Sequence, residues 1–276
     1  MRWQARLCLF MSATAFFRCI GFSADVAKDP RDATKDRPFV NSLGMKLVPV
    51  RGTKVLACVW ETRVRDFAAF VRESGYDWNE KPPFQQTPDD PAVRVSWDDA
   101  KAFCAWLSQK EGRTYRLPTD REWDSAAGKD KFPWGDQWPP PKGADNIAGT
   151  ESVIRDGNDP SSPVRGYADM HPRTAPVGSY KANKLGIYDI GGNVREWIED
   201  WYNQDLHEKH KEAGGPEPAP EQLPEIKAGN VRRAARGGHW WDTMSGILAT
   251  ARRFGLYPDN RNHTTGFRCV LEVPAR

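Results

Sequence analysis

Apolar and polar positions along this chain follow two periods. Met45-Lys-Leu-Val-Pro-Val50 and Lys54 to Trp60 read as two short strands of a hairpin, turned at Arg51-Gly52-Thr53. The spacing then lengthens to that of a helix. After Thr62, residues Val64, Phe67, Ala68 and Val71 fall on one face, and Gly75 supplies the stop. Ser96 opens a second helix, with Asp98 and Asp99 in the first turn, where the helix dipole favours negative charge. Its buried stripe is Ala100, Phe103, Cys104 and Leu107. Thr119 and Glu122 have the spacing of a capping box for a third helix carrying Trp123, Ala126 and Ala127. Arg116-Leu117-Pro118-Thr119 leads into it from an extended strand.

Regular signals fade after Gly128. Residues 131–185 are rich in Pro, Gly, Asn and Asp, and a loop this long in a compact domain needs a function or an internal staple. Residues 203–230 are polar, carry four prolines and the pair His207 and His210, and read as a surface excursion. Order returns at Ala235-Arg-Gly-Gly238 and ends in one strand predicted over Gly266 to Leu271.

The amino terminus changes the picture. Two arginines within Met1 to Arg6 precede the mostly apolar stretch Leu7 to Phe17 and the small residues Gly21 to Ala24. This is the pattern of an export signal over residues 1–24, too short for a good membrane span. Residues 25–38 are charged, with almost no large apolar side chain, and read as a flexible leader to a domain over 39–276. The expected location is exported, periplasmic or extracellular. Signal removal leaves Cys58, Cys104 and Cys269, an odd count that requires at least one unpaired thiol.

Composition mostly excludes. A net charge of +3, from 40 basic and 37 acidic residues, gives no concentrated basic face for nucleic acid. Twelve Trp with a mean hydropathy of -0.71 point to a loop-rich fold pinned by large rings. Trp97, Trp106, Trp123, Trp134, Trp197 and Trp201 read as core and loop anchors. No phosphate-binding loop, kinase motif or Ser-His-Asp order is present.

Several segments, in order, carry a family resemblance. They are Asn41-Ser-Leu-Gly-Met45, Glu61-Thr62, Val95-Ser-Trp97, Tyr115 to Trp123, Pro133-Trp-Gly135, Thr174 to Gly178, Gly186 to Trp197, Arg236-Gly-Gly238 and Gly266-Phe-Arg-Cys269. Together they resemble the formylglycine-generating enzyme and the sulfatase-modifying-factor domain. The resemblance implies one α+β domain of C-type-lectin-like fold with much irregular loop. It implies a Cys104–Cys269 disulfide, worth roughly 5 kcal/mol by loop-closure entropy, and leaves Cys58 free. Two buried thiols are the alternative.

The resemblance also implies two calcium positions, a cation that takes six to eight hard oxygens. One set is Asn146, Asp169 and the carbonyls of Ile147 and His171. The other is Gly192, Asn193, Val194 and Glu196, with Glu196 as the anion. The alternative for this second stretch is a turn network in which Asn193 and Glu196 bond backbone amides.

In the family's enzyme, two cysteines five apart follow the Arg-Gly-Gly turn and bind copper(I), a soft ion suited to thiolates. Here the stretch is His239 to Leu248, with Asp242 and Ile247 at those positions and no cysteine between Cys104 and Cys269. A carboxylate and an aliphatic chain cannot make that site, so copper is not expected and the oxidase activity is not carried over. His239, Asp242, Met244 and His263 show no recognised spacing for another metal. Two functions remain. One is a binding or accessory domain for an extended peptide or small-molecule ligand, with a groove lined by His239, Trp240, Trp241, Asp242, Arg252, Arg253 and Asn260. The other is an enzyme of different chemistry with His239, Asp242 or Glu196 as acid–base groups. A monomer is expected.

Overall fold

The computed structural model describes residues 26–152, 163–202 and 231–273. The export signal over 1–24 and the pair His207 and His210 lie outside the described residues. Among those residues, no helix is long and apolar enough to cross a membrane.

The predicted hairpin forms as β2 (Lys46–Pro49) and β3 (Val55–Cys58), antiparallel with Leu47 opposite Cys58 and Pro49 opposite Leu56. Strand β1 (Phe39–Val40) pairs with β2. Helix α1 (Val64–Ser74) starts one residue later than Thr62 suggests: the Asp66 carboxylate accepts from Arg63 N at 3.1 Å, while Thr62 N donates to Phe267 O. Gly75 closes it in the left-handed conformation that glycine adopts without strain. Helix α2 (Trp97–Glu111) and helix α3 (Asp120–Ala127) both start on reciprocal caps, the one at α3 being the Thr119–Glu122 box read from the sequence. Ser96 Oγ accepts from Asp99 N at 3.1 Å, and Thr119 Oγ1 accepts from Glu122 N at 3.3 Å.

Strand β4 (Tyr115–Arg116) lies between α2 and α3. Strands β5 (Arg195–Trp201) and β6 (Arg233–Arg236) follow the loop region, then the short helix α4 (Ser245–Leu248), β7 (Arg253–Leu256), β8 (Thr265–Phe267) and β9 (Val270–Glu272). One sheet has the order β1-β2-β3-β9-β4 and the other β7-β6-β5-β8, with β5 and β8 parallel. The single strand predicted over Gly266 to Leu271 is therefore two strands in two sheets. Arg268 and Cys269 form the step between them, and both are buried.

The leader also differs from its reading. Residues 26–38 are folded onto the domain rather than free. Ala27 N donates to Pro38 O, Asp29 caps the turn Pro30–Asp32, and Ala27 is only 2% exposed. A small side chain and a local cap suffice where large apolar residues are lacking.

Two apolar clusters fill the sheets. The larger joins Leu47, Cys58, Phe67, Phe103, Cys104, Trp197, Phe267 and Cys269, and the second joins Val48, Val59, Trp123, Ile190 and Ile198. Phe67 stands at the centre of the first, with ring contacts to Phe70, Trp78, Phe103 and Phe267.

Candidate functional site

Strand β6 ends in Arg236, and Gly237 turns the chain at φ +80°. At Gly238 a β-carbon would collide with Leu248 and the Gly191 carbonyl, so glycine lets this turn pack on the Gly191–Asn193 loop. The turn delivers His239 to Asp242. Trp240 N donates to Asn193 O at 3.0 Å, and the Asp242 carbonyl accepts from Ala148 N at 3.1 Å. Asp242 is buried, and its Oδ2 accepts from Arg195 Nη2 at 3.0 Å and from His239 N at 2.9 Å. His239 Nε2 lies 3.4 Å from Asp242 Oδ1, and His239 Nδ1 accepts from Trp241 N.

Burial raises the Asp242 carboxyl, opposed by the Arg195 charge. Burial, then Arg195, holds His239 well below its ordinary value, so its ring is neutral at neutral pH. Trp240, Trp241, His263 and Phe84 form one aromatic cluster, and the Arg173 guanidinium lies 4.9 Å and 5.4 Å from the two indole centroids.

The other groove candidates divide. Arg252 is exposed and stacks over Phe254. Arg253 faces inward: it is buried, and its Nε donates to Asp120 Oδ1 at 3.1 Å, beside the Arg236–Asp120 ion pair. It is a buried residue tied to the first turn of α3, not a groove-lining one. Asn260 accepts from Asn262 Nδ2 and donates its own N–H to Tyr257 O, bracing a turn. Ile247 sits half-buried in α4. Cys58, Cys104 and Cys269 are all in the large core cluster, so none reaches Asp242. Cys104 Sγ and Cys269 Sγ approach to 3.4 Å as free thiols.

The long loop is stapled by polar groups. Asn193 is buried at φ +60°, and its amide is fully used. Its Oδ1 accepts from Ala175 N at 2.9 Å and Asn146 Nδ2 at 3.0 Å, and its Nδ2 donates to Glu61 Oε2 at 2.7 Å and Ala175 O at 3.2 Å. Glu61 Oε1 accepts from Val194 N, and burial, followed by the charges of Asp189 and Glu196, pushes Glu61 well above the usual carboxylate range. Asp145 accepts from Gly191 N at 2.8 Å and Asn146 N at 2.9 Å. Glu61, Asp145 and Arg195 lack any helical or metal-site spacing in the sequence.

The two proposed calcium sets fare differently. Glu196 is held by Arg268 through two bonds, 2.7 Å from Nε and 2.6 Å from Nη2, and also accepts from Trp123 Nε1. With Asn193 saturated, the set Gly192, Asn193, Val194 and Glu196 offers no uncommitted side-chain oxygen. It does not fit a calcium site on the expected ligands. Glu196 is likewise removed from acid–base candidacy, since its carboxylate answers a buried guanidinium. Nearby, Asp189 Oδ1 is buried without a partner, and burial pushes Asp189 up to about 6.

The first set keeps an uncommitted side-chain oxygen. Asn146 is fully buried, and its Oδ1 has no hydrogen-bond partner although its Nδ2 is bonded to Arg173 O and Asn193 Oδ1. Asp169 accepts from Ile147 N and His171 N, each at 2.8 Å, and burial pushes it up to about 7. Among the described residues, no cluster of three or more His, Cys, Asp or Glu side chains is placed to hold a metal. An ion at this site would therefore depend on amide and carbonyl oxygens as well.

Residues 41–273 match the family described as Sulfatase-modifying factor enzyme 1-like domain. The chain is 34% identical over 194 residues to the formylglycine-generating enzyme of Thermomonospora curvata, covering 67% of this chain and 56% of that protein. It is 31% identical over 198 residues to the inactive C-alpha-formylglycine-generating enzyme 2 of Mus musculus, covering 65% of this chain and 48% of that protein. The chain thus spans about half the length of these curated relatives. PvdO from Pseudomonas aeruginosa superposes with a TM-score of 0.59 at 25% identity, covering 79% of this chain and 80% of that one. CarF, at 20% identity and a TM-score of 0.56 over 83% of this chain and 88% of that one, shares the α+β, C-type-lectin-like fold. On the match over residues 41–273, the chain belongs to the sulfatase-modifying factor enzyme 1-like domain family.

Proposed function

We propose that this chain is an exported member of its family that does not oxidise cysteine through copper and serves as a binding or accessory domain for an extended peptide or small-molecule ligand. The observation that carries the reading is Asp242. Where the family's enzyme has a thiol, the chain has a carboxylate bonded to Arg195 and to His239 N. A hard oxygen already paired with a guanidinium is a poor ligand for copper(I). The mouse relative described as inactive is consistent with such members existing. Ligand contact falls to Trp241, the Arg173 guanidinium over the indoles, and exposed Arg252, which offers charge-assisted bonds to a carbonyl or carboxylate.

Calcium at Asn146, Ile147, Asp169 and His171, and an oxidised Cys104–Cys269 bond in the exported protein, belong to the same proposal. Calcium would brace the long loop that backs the pocket. A second reading, an acid–base enzyme, rests on neutral His239 lying 3.4 Å from Asp242.

The test is incubation of the purified protein with copper(I), oxygen and a peptide carrying Cys-x-Pro-x-Arg, read by mass spectrometry. Unchanged peptide and no retained copper are expected. Copper-dependent formylglycine would overturn the proposal. Turnover of a small molecule that His239→Gln abolishes would favour the second reading.

A further inference from the structure

The segment from Asp145 to Ser152 curls against residues 164–171. Thr150 N donates to Tyr167 O at 2.9 Å, Val164 N to Ala148 O at 2.8 Å, and Ile147 N to the Asp169 carboxylate at 2.8 Å. The curl turns Glu151 inward. Both its carboxylate oxygens are shielded from solvent and have no hydrogen-bond partner. They lie against Gly149, where a β-carbon would come within 2.7 and 2.8 Å of them and 2.7 Å of the Tyr167 carbonyl. Glycine at 149 is therefore what makes room for this carboxylate. Asp169 is its neighbour, close enough for the two carboxyls to hydrogen-bond if one carried a proton. Asn146 Oδ1 and Ser152 Oγ, in the same segment, are also buried without a partner, and the Asn146 side chain has no solvent exposure.

Two carboxylates in contact inside a protein repel strongly, and each has lost its hydration. Stranded oxygens of this kind call for a cation. Two carboxylates and an amide oxygen, with nearby carbonyls, are the hard donors that calcium selects, and their summed charge matches a divalent ion.

We propose that Glu151 is a direct ligand of the calcium ion, supplying a second carboxylate beside Asp169 in the set that includes Asn146. This inference rests on the calcium reading above and adds a residue that the family resemblance does not supply. Glu151 sets the affinity of the site, because the ion's binding strength rises with the number of charged ligands.

The experiment titrates calcium alone into the full purified chain, stripped with a chelator, by calorimetry. Melting temperatures are recorded with and without calcium for the wild type, Glu151→Gln and Asp169→Asn. The wild type is expected to bind calcium and melt higher with it. Glu151→Gln is expected to bind at least about tenfold more weakly. Without calcium it should melt no lower than the wild type, because one uncompensated buried charge is gone. Glu151→Gln binding calcium as tightly as the wild type, while Asp169→Asn loses it, would overturn the role of Glu151 and leave the calcium site standing. A calcium-free Glu151→Gln that melts well below the wild type would also overturn it, showing the carboxylate to be structural. No binding by the wild type at millimolar calcium would remove the site and this inference together.

Discussion

The large core around Phe67 and the loop layer around Asn193 are both buried, yet they are held together by different physics. In the first, Phe67, Phe70, Trp78, Phe103 and Phe267 meet ring to ring, and stability comes from area removed from water and close packing. In the second, Glu61, Asp145, Asn146, Asn193 and Glu196 are buried polar groups, and their burial is tolerable only because nearly every atom has a partner. The first region loses stability in proportion to volume removed. The second fails atom by atom, and its few stranded oxygens mark where a further partner belongs.

Substitutions can sharpen that contrast. Phe67→Ala leaves a cavity at the ring cluster and is expected to cost roughly 3–5 kcal/mol in chemical denaturation. Glu196→Gln is expected to cost roughly 3–5 kcal/mol, because it leaves Arg268 buried and charged without its anion. An apolar double variant, Glu196→Leu with Arg268→Met, should be far less destabilised than the sum of its singles. If it is not, the pair matters for more than charge compensation. Asn193→Ala strands Glu61 Oε2 and the Ala175 amide and is expected to cost about 2–3 kcal/mol, well above what its volume alone would predict.

The pH response of the pocket is smaller. His239 has a folded-state value well below 6.5, so below pH 6.5 the unfolded chain takes up a proton that the folded chain refuses. Stability should therefore fall as pH drops through the region below 6.5, and His239→Gln should flatten that limb of a pH-dependent melting curve. At the bottom of the scale, the exposed Lys184–Asp130 pair is expected to contribute at most about 0.5 kcal/mol, so Lys184→Ala should melt with the wild type.

Much of the frame was legible because it is local. Ser96 and Asp99, or Thr119 and Glu122, lie three residues apart, and their capping bonds follow from that spacing. The hairpin at Arg51-Gly52-Thr53 needs no distant partner. The strand expected over Gly266 to Leu271 failed for the opposite reason: continuous apolar character cannot say that its two halves join different sheets. The leader was misread because burial of Ala27 depends on β1, not on its own composition.

The candidate site was legible by type but not by direction. Asp169 bonds the Ile147 amide, next to Asn146 in the chain, whereas Arg253 and Glu196 were each claimed by another buried charge. Asp120 lies 133 residues before Arg253, and Arg268 lies 72 residues beyond Glu196. Glu151 gave no signal, since a glutamate in a polar loop ordinarily points to water.

By itself the sequence determined where α2 and α3 begin and where α1 ends, which faces of α2 and α3 are buried, and that no cysteine stands where the family's enzyme binds copper. Those are properties of spacing and residue type. Only the tertiary structure decided which buried charges meet, which strand joins which sheet, and which oxygens are left without partners. These depend on groups far apart in the chain being desolvated together, and the cost of an uncompensated buried charge arises only once the fold has closed around it.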